Sequence, residues 1–191
     1  RFSVTAPARI PAAASIPPSR FGGSMDHLQR AARALEPAGV PAMAKDFLVA
    51  PEQVWAARVA GAGGILLIIR MLDQTRLSAL LELALELGMF VLLEAFDRDD
   101  LERAAGLRVA DDDNAGPVLL GLNCRNLRTL QVDPGRFGEL AEHFPDLYPK
   151  VAESGIEGAE DVTAVASLGY SVALVGSALM KTPDPGTLVQ D

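Results

Sequence analysis

Short apolar runs, each closed by a polar residue and followed by an amphipathic stretch, recur from Pro37 onward. No other feature limits the possible folds of this chain so strongly. The runs are Val40–Ala44 (VPAMA), Gly64–Ile69 (GILLII), Phe90–Leu93 (FVLL), Val118–Leu122 (VLLGL), Lys150–Ala152 (KVA) and Val172–Val175 (VALV). They lack strict apolar–polar alternation, as strands do when a parallel sheet is covered on both faces. Helical segments lie between them. Ser24 can cap MDHLQRAARAL, Pro51 opens PEQVWAARVAGA, and Asp73 or Thr75 starts RLSALLELALEL, which stops at Gly88. DRDDLERAA, PGRFGELAEHF and AEDVTAVASLG follow. Leu77, Leu80, Leu81, Ala84 and Leu87 recur at helical spacing and give one face to lay on a sheet. Such alternation means right-handed crossovers and an α/β fold with a parallel sheet. The sheet could be open and doubly wound, or closed as a (β/α)8 TIM barrel.

The residues that close the runs decide between these. Lys45, the end near Ile69, Glu94, Asn123, Glu153 and Ser177 lie 24, 25, 29, 30 and 24 residues apart. A polar group at the C-terminal end of nearly every strand is how a barrel builds its site. An open sheet gathers its ligand groups at one switch point, usually behind a glycine-rich first turn. Neither G-x-G-x-x-G nor a P-loop pattern occurs, so a barrel is expected.

Composition removes several classes of function. With 191 residues, 49% hydrophobic and 22% charged, the chain suits one well-cored domain and excludes a disordered tail. Its longest apolar stretch, Gly61–Ile69, falls far short of the roughly 18 residues of a membrane span. Prolines 7, 11, 17 and 18 interrupt any signal-peptide core, and a lone Cys124 allows no internal disulfide. A soluble, cytoplasmic protein is the expectation. The net charge of −8 leaves no electrostatic footprint for nucleic acid, so an anionic ligand must be met locally by a few cations and N–H groups. The chain starts at Arg1 without an initiator Met, which reads as a processed, truncated or unrepresented N-terminus.

Each run-closing residue has a chemistry. A lysine after an apolar strand, as Lys45 is, can lose enough solvation to transfer protons; the plainer reading is a structural partner of Asp46 or Glu94. Glu94 ends an apolar run where a carboxyl can act as acid or base, or else simply pair with Lys45 or Arg125. Asn123 and Arg125, two apart, face the same side if the strand continues. Asn suits a hydroxyl or carbonyl, and Arg a carboxylate or phosphate. Cys124 then faces away, as a small buried hydrophobe rather than a nucleophile. In AESGI, Ser154 and Gly155 form a tight turn, and in VGSALM, Gly176 and Ser177 start a short helix. Barrels often hold phosphate after their last two strands, although two ordinary glycine turns would read the same way. His27 and His143 sit on helices, with no metal-ligand cluster. Asp111–Asp113 precede a strand and belong to the solvated N-terminal rim.

PSRFGGSMDHL, PAMAKDFLVAPEQVWAARVAGAGGILLI, LELALELGMFVLLEAF, GLNCRNLRTLQVD, VAESGIEGAEDV and ALVGSALMKTPDP occur in this order. Over roughly residues 17–187 they resemble the indole-3-glycerol phosphate synthase family. The K-D-F, N-x-R-N-L and E-S-G-I motifs together carry the resemblance. It implies a TIM barrel of the phosphate-binding type over residues 17–191, behind an atypical segment 1–16 that could serve as a degenerate second strand. The implied reaction closes the indole ring of 1-(2-carboxyphenylamino)-1-deoxyribulose 5-phosphate, releasing CO2 and water in tryptophan biosynthesis. No metal or organic cofactor, nucleic acid or membrane is implied.

By this resemblance Lys45 is the general acid at the ribulose carbonyl oxygen, Glu94 the acid/base of the dehydration, and Asn123 the residue that orients the substrate. Phe21 and Phe47 wall the aromatic ring, and Arg125 supports the charged site. Glu153 and Ser154 fall on the seventh-strand signature, and Gly155, Gly176 and Ser177 hold the phosphate.

Several departures stand out. The family's first-strand Glu, Lys and Ser-Pro-Ser loop are not found before Phe21, and Ala14–Pro18 replaces its Ser-Val-Leu-Thr. The tail stops before most of the final helix, and the loop before the sixth strand is expanded at Asp111–Pro117. Phe96 stands two residues after Glu94, where an aromatic or a histidine is common. A barrel short of a strand has an open edge. The expectation is therefore a fragment, unusual pairing by residues 1–16, or closure by a homodimer or a fused or adjacent tryptophan-pathway domain. The alternative functions are an inactive phosphate-binding barrel that acts as a ligand- or partner-binding protein, and a phosphosugar isomerase, against which Lys45 with Glu94 argues.

Overall fold

The computed structural model describes residues 12–15, 23–107 and 117–186. Among these, strands and helices alternate as the apolar runs predict. The strands are β1 (Ala12–Ser15), β2 (Ala42–Lys45), β3 (Gly64–Ile68), β4 (Phe90–Ala95), β5 (Val118–Asn123), β6 (Lys150–Glu153) and β7 (Val172–Leu174). The α-helices are α1 (Met25–Leu35), α2 (Pro51–Val59), α3 (Gln74–Glu86), α4 (Arg98–Ala105), α5 (Arg136–Leu140), α6 (Ala159–Ser167) and α7 (Ser177–Lys181). Phe21 and Asp111–Asp113 lie outside the described residues. No helix among the described residues is long and apolar enough to cross a membrane.

The chain packs as two compact units, and β4 contributes Phe90–Leu92 to the first and Leu93–Ala95 to the second. In the first unit β1, β2, β3 and the start of β4 follow in chain order. β1 pairs parallel with β2, Ser15 opposite Lys45, and β2 pairs parallel with β3, Met43 opposite Gly64. Every residue of β3 is buried, which is why its sequence shows no alternation. Local side chains set the helix starts. Ser24 accepts from the His27 N–H at 3.2 Å, and Asp73 from the Arg76 N–H at 2.8 Å. Leu77, Leu80, Leu81 and Ala84 of α3 are buried as their spacing predicts, while Leu87 is half-buried at the helix end. Gly88 follows in the left-handed region at φ +66°.

In the second unit the end of β4 is followed by β5, β6 and β7 in chain order. β5 and β6 run parallel with Asn123 opposite Glu153, and β6 and β7 run parallel with Glu153 opposite Leu174. The helix expected over residues 134–144 is shorter than its sequence suggests. α5 spans only Arg136–Leu140, a 3-10 turn covers Ala141–His143, and Phe144 is extended at ψ 135°. Phe144 precedes Pro145, and a residue before proline is driven out of the helical region. Phe137 and Phe144 each meet Tyr170 edge to face, with ring centres 5.3 and 5.4 Å apart. The buried Tyr170 hydroxyl donates to the Phe137 carbonyl at 3.1 Å, and its burial pushes the phenol's pKa up.

Candidate active site

In the first unit, Lys45 is the last residue of β2 and is half-buried. The turn that follows is held by its own side chains. Asp46 accepts from the Phe47 N–H at 2.7 Å, so this carboxylate oxygen folds back onto the loop. Gln53 of α2 accepts from the N–H groups of Val49 and Ala50 at 2.8 and 3.0 Å and donates to the Phe47 carbonyl at 3.2 Å. These bonds fix the backbone on which Lys45 and the half-buried Phe47 are mounted. The sequence reading had no role for Gln53. Its signal is its place, third in a helix that opens with Pro51, where a Gln reaches back to orphan N–H groups.

The second unit carries the other candidates. Glu94 is the fifth residue of β4 and only 2% exposed. Past the strand end Phe96 is also buried. Its N–H donates to Asp100 at 2.9 Å, and its carbonyl accepts from the Arg136 guanidinium. Asn123, at 7% exposure, ends β5 because its side-chain oxygen accepts from the Arg125 N–H at 2.9 Å and turns the chain. Arg125 therefore does not continue the strand alongside Asn123, contrary to the two-residue spacing. It enters a small hairpin, bridging antiparallel to Val132. Its guanidinium donates to the Leu130 carbonyl at 3.1 Å, and Asn126 accepts from the N–H groups of Arg128 and Thr129 at 2.9 and 3.1 Å. Cys124 is buried, and burial pushes its thiol up to about 12 against the lowering charge of Arg136. A thiol so held is a packing group, as its sequence position predicts.

Glu153 ends β6 at 1% exposure, opposite Asn123 in the ladder. The tight turn expected next is present, with Ser154 at φ +65° and Gly155 at +86°. A methyl on Gly155 would stand 3.1 Å from both Val132 Cγ1 and Pro134 Cγ, closer than ordinary contact, so the turn seats against the hairpin after β5, and its φ of +86° independently disfavours a side chain. Gly176 and Ser177 are exposed where the five-residue α7 begins after β7. Glu94, Asn123, Glu153 with the Ser154–Gly155 turn, and Gly176–Ser177 thus mark the C-terminal ends of β4, β5, β6 and β7. Among the described residues no three His, Cys, Asp or Glu side chains gather as a metal site.

The fold is that of an incomplete α/β barrel, with seven strands in chain order among the described residues and polar residues at the C-terminal ends of most of them. The chain superposes on orotidine 5′-phosphate decarboxylase from Pyrococcus horikoshii with a TM-score of 0.64 at 15% identity, covering 94% of this chain and 83% of that one. A family model for indole-3-glycerol phosphate synthase matches residues 14–191, and the chain belongs to that family. It is 40% identical over 172 residues to indole-3-glycerol phosphate synthase 1 of Streptomyces coelicolor and 42% identical over 172 residues to the enzyme of Beutenbergia cavernae. Each match covers 90% of this chain and 60% of the relative, so the chain spans about 60% of the length of these relatives.

Proposed function

We propose that this chain forms the reaction site of a cytoplasmic indole-3-glycerol phosphate synthase. The observation that carries the reading is the family match over residues 14–191, joined to polar side chains at successive strand ends. The substrate is 1-(2-carboxyphenylamino)-1-deoxyribulose 5-phosphate, which cyclises with loss of CO2 and then of water.

In the first step the ring carbon bearing the carboxylate attacks the ribulose carbonyl. Lys45 gives its proton to the carbonyl oxygen as that oxygen gains charge, and departure of CO2 restores the aromatic ring. The new hydroxyl must then leave as water. Glu94 serves that step as acid/base, and its burial keeps bulk water from competing for the proton. Asn123 orients the substrate through its amide, and its Oδ1 is already fixed by the Arg125 N–H. One guanidinium nitrogen of Arg125 holds the Leu130 carbonyl, so Arg125 supports the charged site from the hairpin. Phe47 walls the aromatic ring, a role Phe21 shares by resemblance. Glu153 and Ser154 lie on the substrate-binding signature. Gly155, Gly176 and Ser177 take the phosphate on backbone N–H groups and the Ser177 hydroxyl.

Indole fluorescence on adding this substrate tests the reading. Lys45→Ala and Glu94→Gln should each lower kcat by about 100-fold or more, as loss of a proton-transfer group does. A flat trace from folded wild-type protein that still binds the substrate would replace the synthase with a phosphate-ligand-binding barrel.

A further inference from the structure

Arg136 takes no part in the proposed chemistry, yet its hydrogen bonds reach the segments that follow two of the proposed active-site residues, Glu94 and Asn123. A peptide group just past a strand end has left the ladder, and when buried it needs another partner. Phe96, two residues beyond Glu94 and 3% exposed, has both of its main-chain groups taken by side chains. Asp100 accepts from its N–H at 2.9 Å, and the Arg136 guanidinium donates to its carbonyl. The two bonds differ in reach. Asp100 is four residues away and sets the shape of the turn. Arg136 is forty residues away and sets where the turn stands against β5 and α5.

The other end of this link is equally defined. Arg136 is the first residue of α5, and its N–H donates to the Asp133 carbonyl at 3.3 Å. The Asp133 N–H donates in turn to the carbonyl of Cys124 at 3.1 Å, next to Asn123. The positive charge of Arg136 is also felt by the buried Cys124 thiol. A short chain of hydrogen bonds therefore runs from the end of β5 through Arg136 to the end of β4. We propose that Arg136 is a positioning residue that fixes the Glu94 carboxylate relative to Asn123 by anchoring the Phe96 carbonyl. The inference rests on the role proposed for Glu94. It gives Arg136 no contact with substrate.

Arg136→Met keeps most of the stem and removes every donor, whereas Arg136→Lys restores one donor and the charge. Both are made in the full chain, with and without Glu94→Gln. A misplacement near 1 Å costs up to about 100-fold in rate, so Arg136→Met should lower kcat by about tenfold or more with KM held within about twofold. Arg136→Lys should recover part of that loss. In the Glu94→Gln background Arg136→Met should change kcat by less than about twofold, because the group it positions is already gone. Amide hydrogen exchange over residues 94–97 should rise about tenfold in Arg136→Met while residues 150–153 stay protected. Unchanged exchange at 94–97 overturns the anchoring, and an equal loss of kcat in both backgrounds overturns action through Glu94. If Glu94→Gln alone leaves kcat intact, the proposed role of Glu94 has failed, and this inference fails with it.

Discussion

Gly64 begins β3, and a methyl group added there would stand 2.3 Å from Cε1 of Phe90 and 2.4 Å from its Cδ1 and Cζ. Ordinary contact begins at 3.4 Å, so Gly64→Ala requires the ring to move by about 1 Å. The ring has little freedom to do so. Phe90 is only 7% exposed, and its N–H donates to the Gly63 carbonyl at 3.0 Å, which pins the start of β4 beside β3. Overpacking of this kind costs about 1–3 kcal/mol. In a domain of this size each kcal/mol lowers Tm by about 2–4 °C, so Gly64→Ala should melt about 2–12 °C below wild type.

Gly88→Ala is the control. Its position is open, with nothing within 4 Å, and only its φ of +66° opposes a side chain. It should cost about 1 kcal/mol, from backbone strain alone. Urea melts followed by circular dichroism on Gly64→Ala, Phe90→Leu and the double variant separate the terms. Trimming the ring should relieve the clash, giving a favourable coupling of at least about 1 kcal/mol between the two sites. Additive effects, or a Gly64→Ala no less stable than Gly88→Ala, would refute the steric argument.

Two other outcomes are expected. Asp100→Ala leaves the buried Phe96 N–H without its acceptor and should cost about 1–3 kcal/mol in urea unfolding, with activity falling alongside if the end of β4 loosens. The Cys124 thiol is raised from 9.0 to about 12 in the folded chain, so its contribution is fully present below pH 9 and is lost as pH rises toward 12. Stability should therefore fall by about 1 kcal/mol per pH unit across that window, and Cys124→Ala should flatten the slope. A thiol reagent that labels native Cys124 quickly at pH 8 would contradict this.

Strands, helices and the polar residue closing each run were legible because burial makes exceptions costly. Lys45, Glu94, Asn123 and Glu153 stand out only because the residues before them are apolar on both faces of the sheet. Asp73 and Ser24 announce their helices by the same local chemistry that caps them. The hairpin after β5 was not legible. Two-residue spacing predicts that Arg125 lies beside Asn123, but the Asn123 side chain competes for the Arg125 N–H and ends the strand at Asn123, two residues earlier. Arg136 and Gln53 were missed for a different reason. Each acts on main-chain groups of another segment, and a hydrogen bond to backbone leaves no mark on the sequence of its partner. The close approach of Gly64 to Phe90 belongs to the same kind, since spacing says nothing about which ring lies over which glycine.

The turn at Ser154–Gly155 has a consequence for anyone exchanging loops among barrels of this kind. A methyl on Gly155 would come about 0.3 Å inside ordinary contact with Val132 and Pro134, so the hairpin after β5 and the turn after β6 are fitted to each other and are best exchanged together. Grafting either alone from a relative would carry its own clearance into a neighbour cut to another. The smallest module that can be transplanted intact runs from Cys124 to Gly155, with β6 included as its spacer.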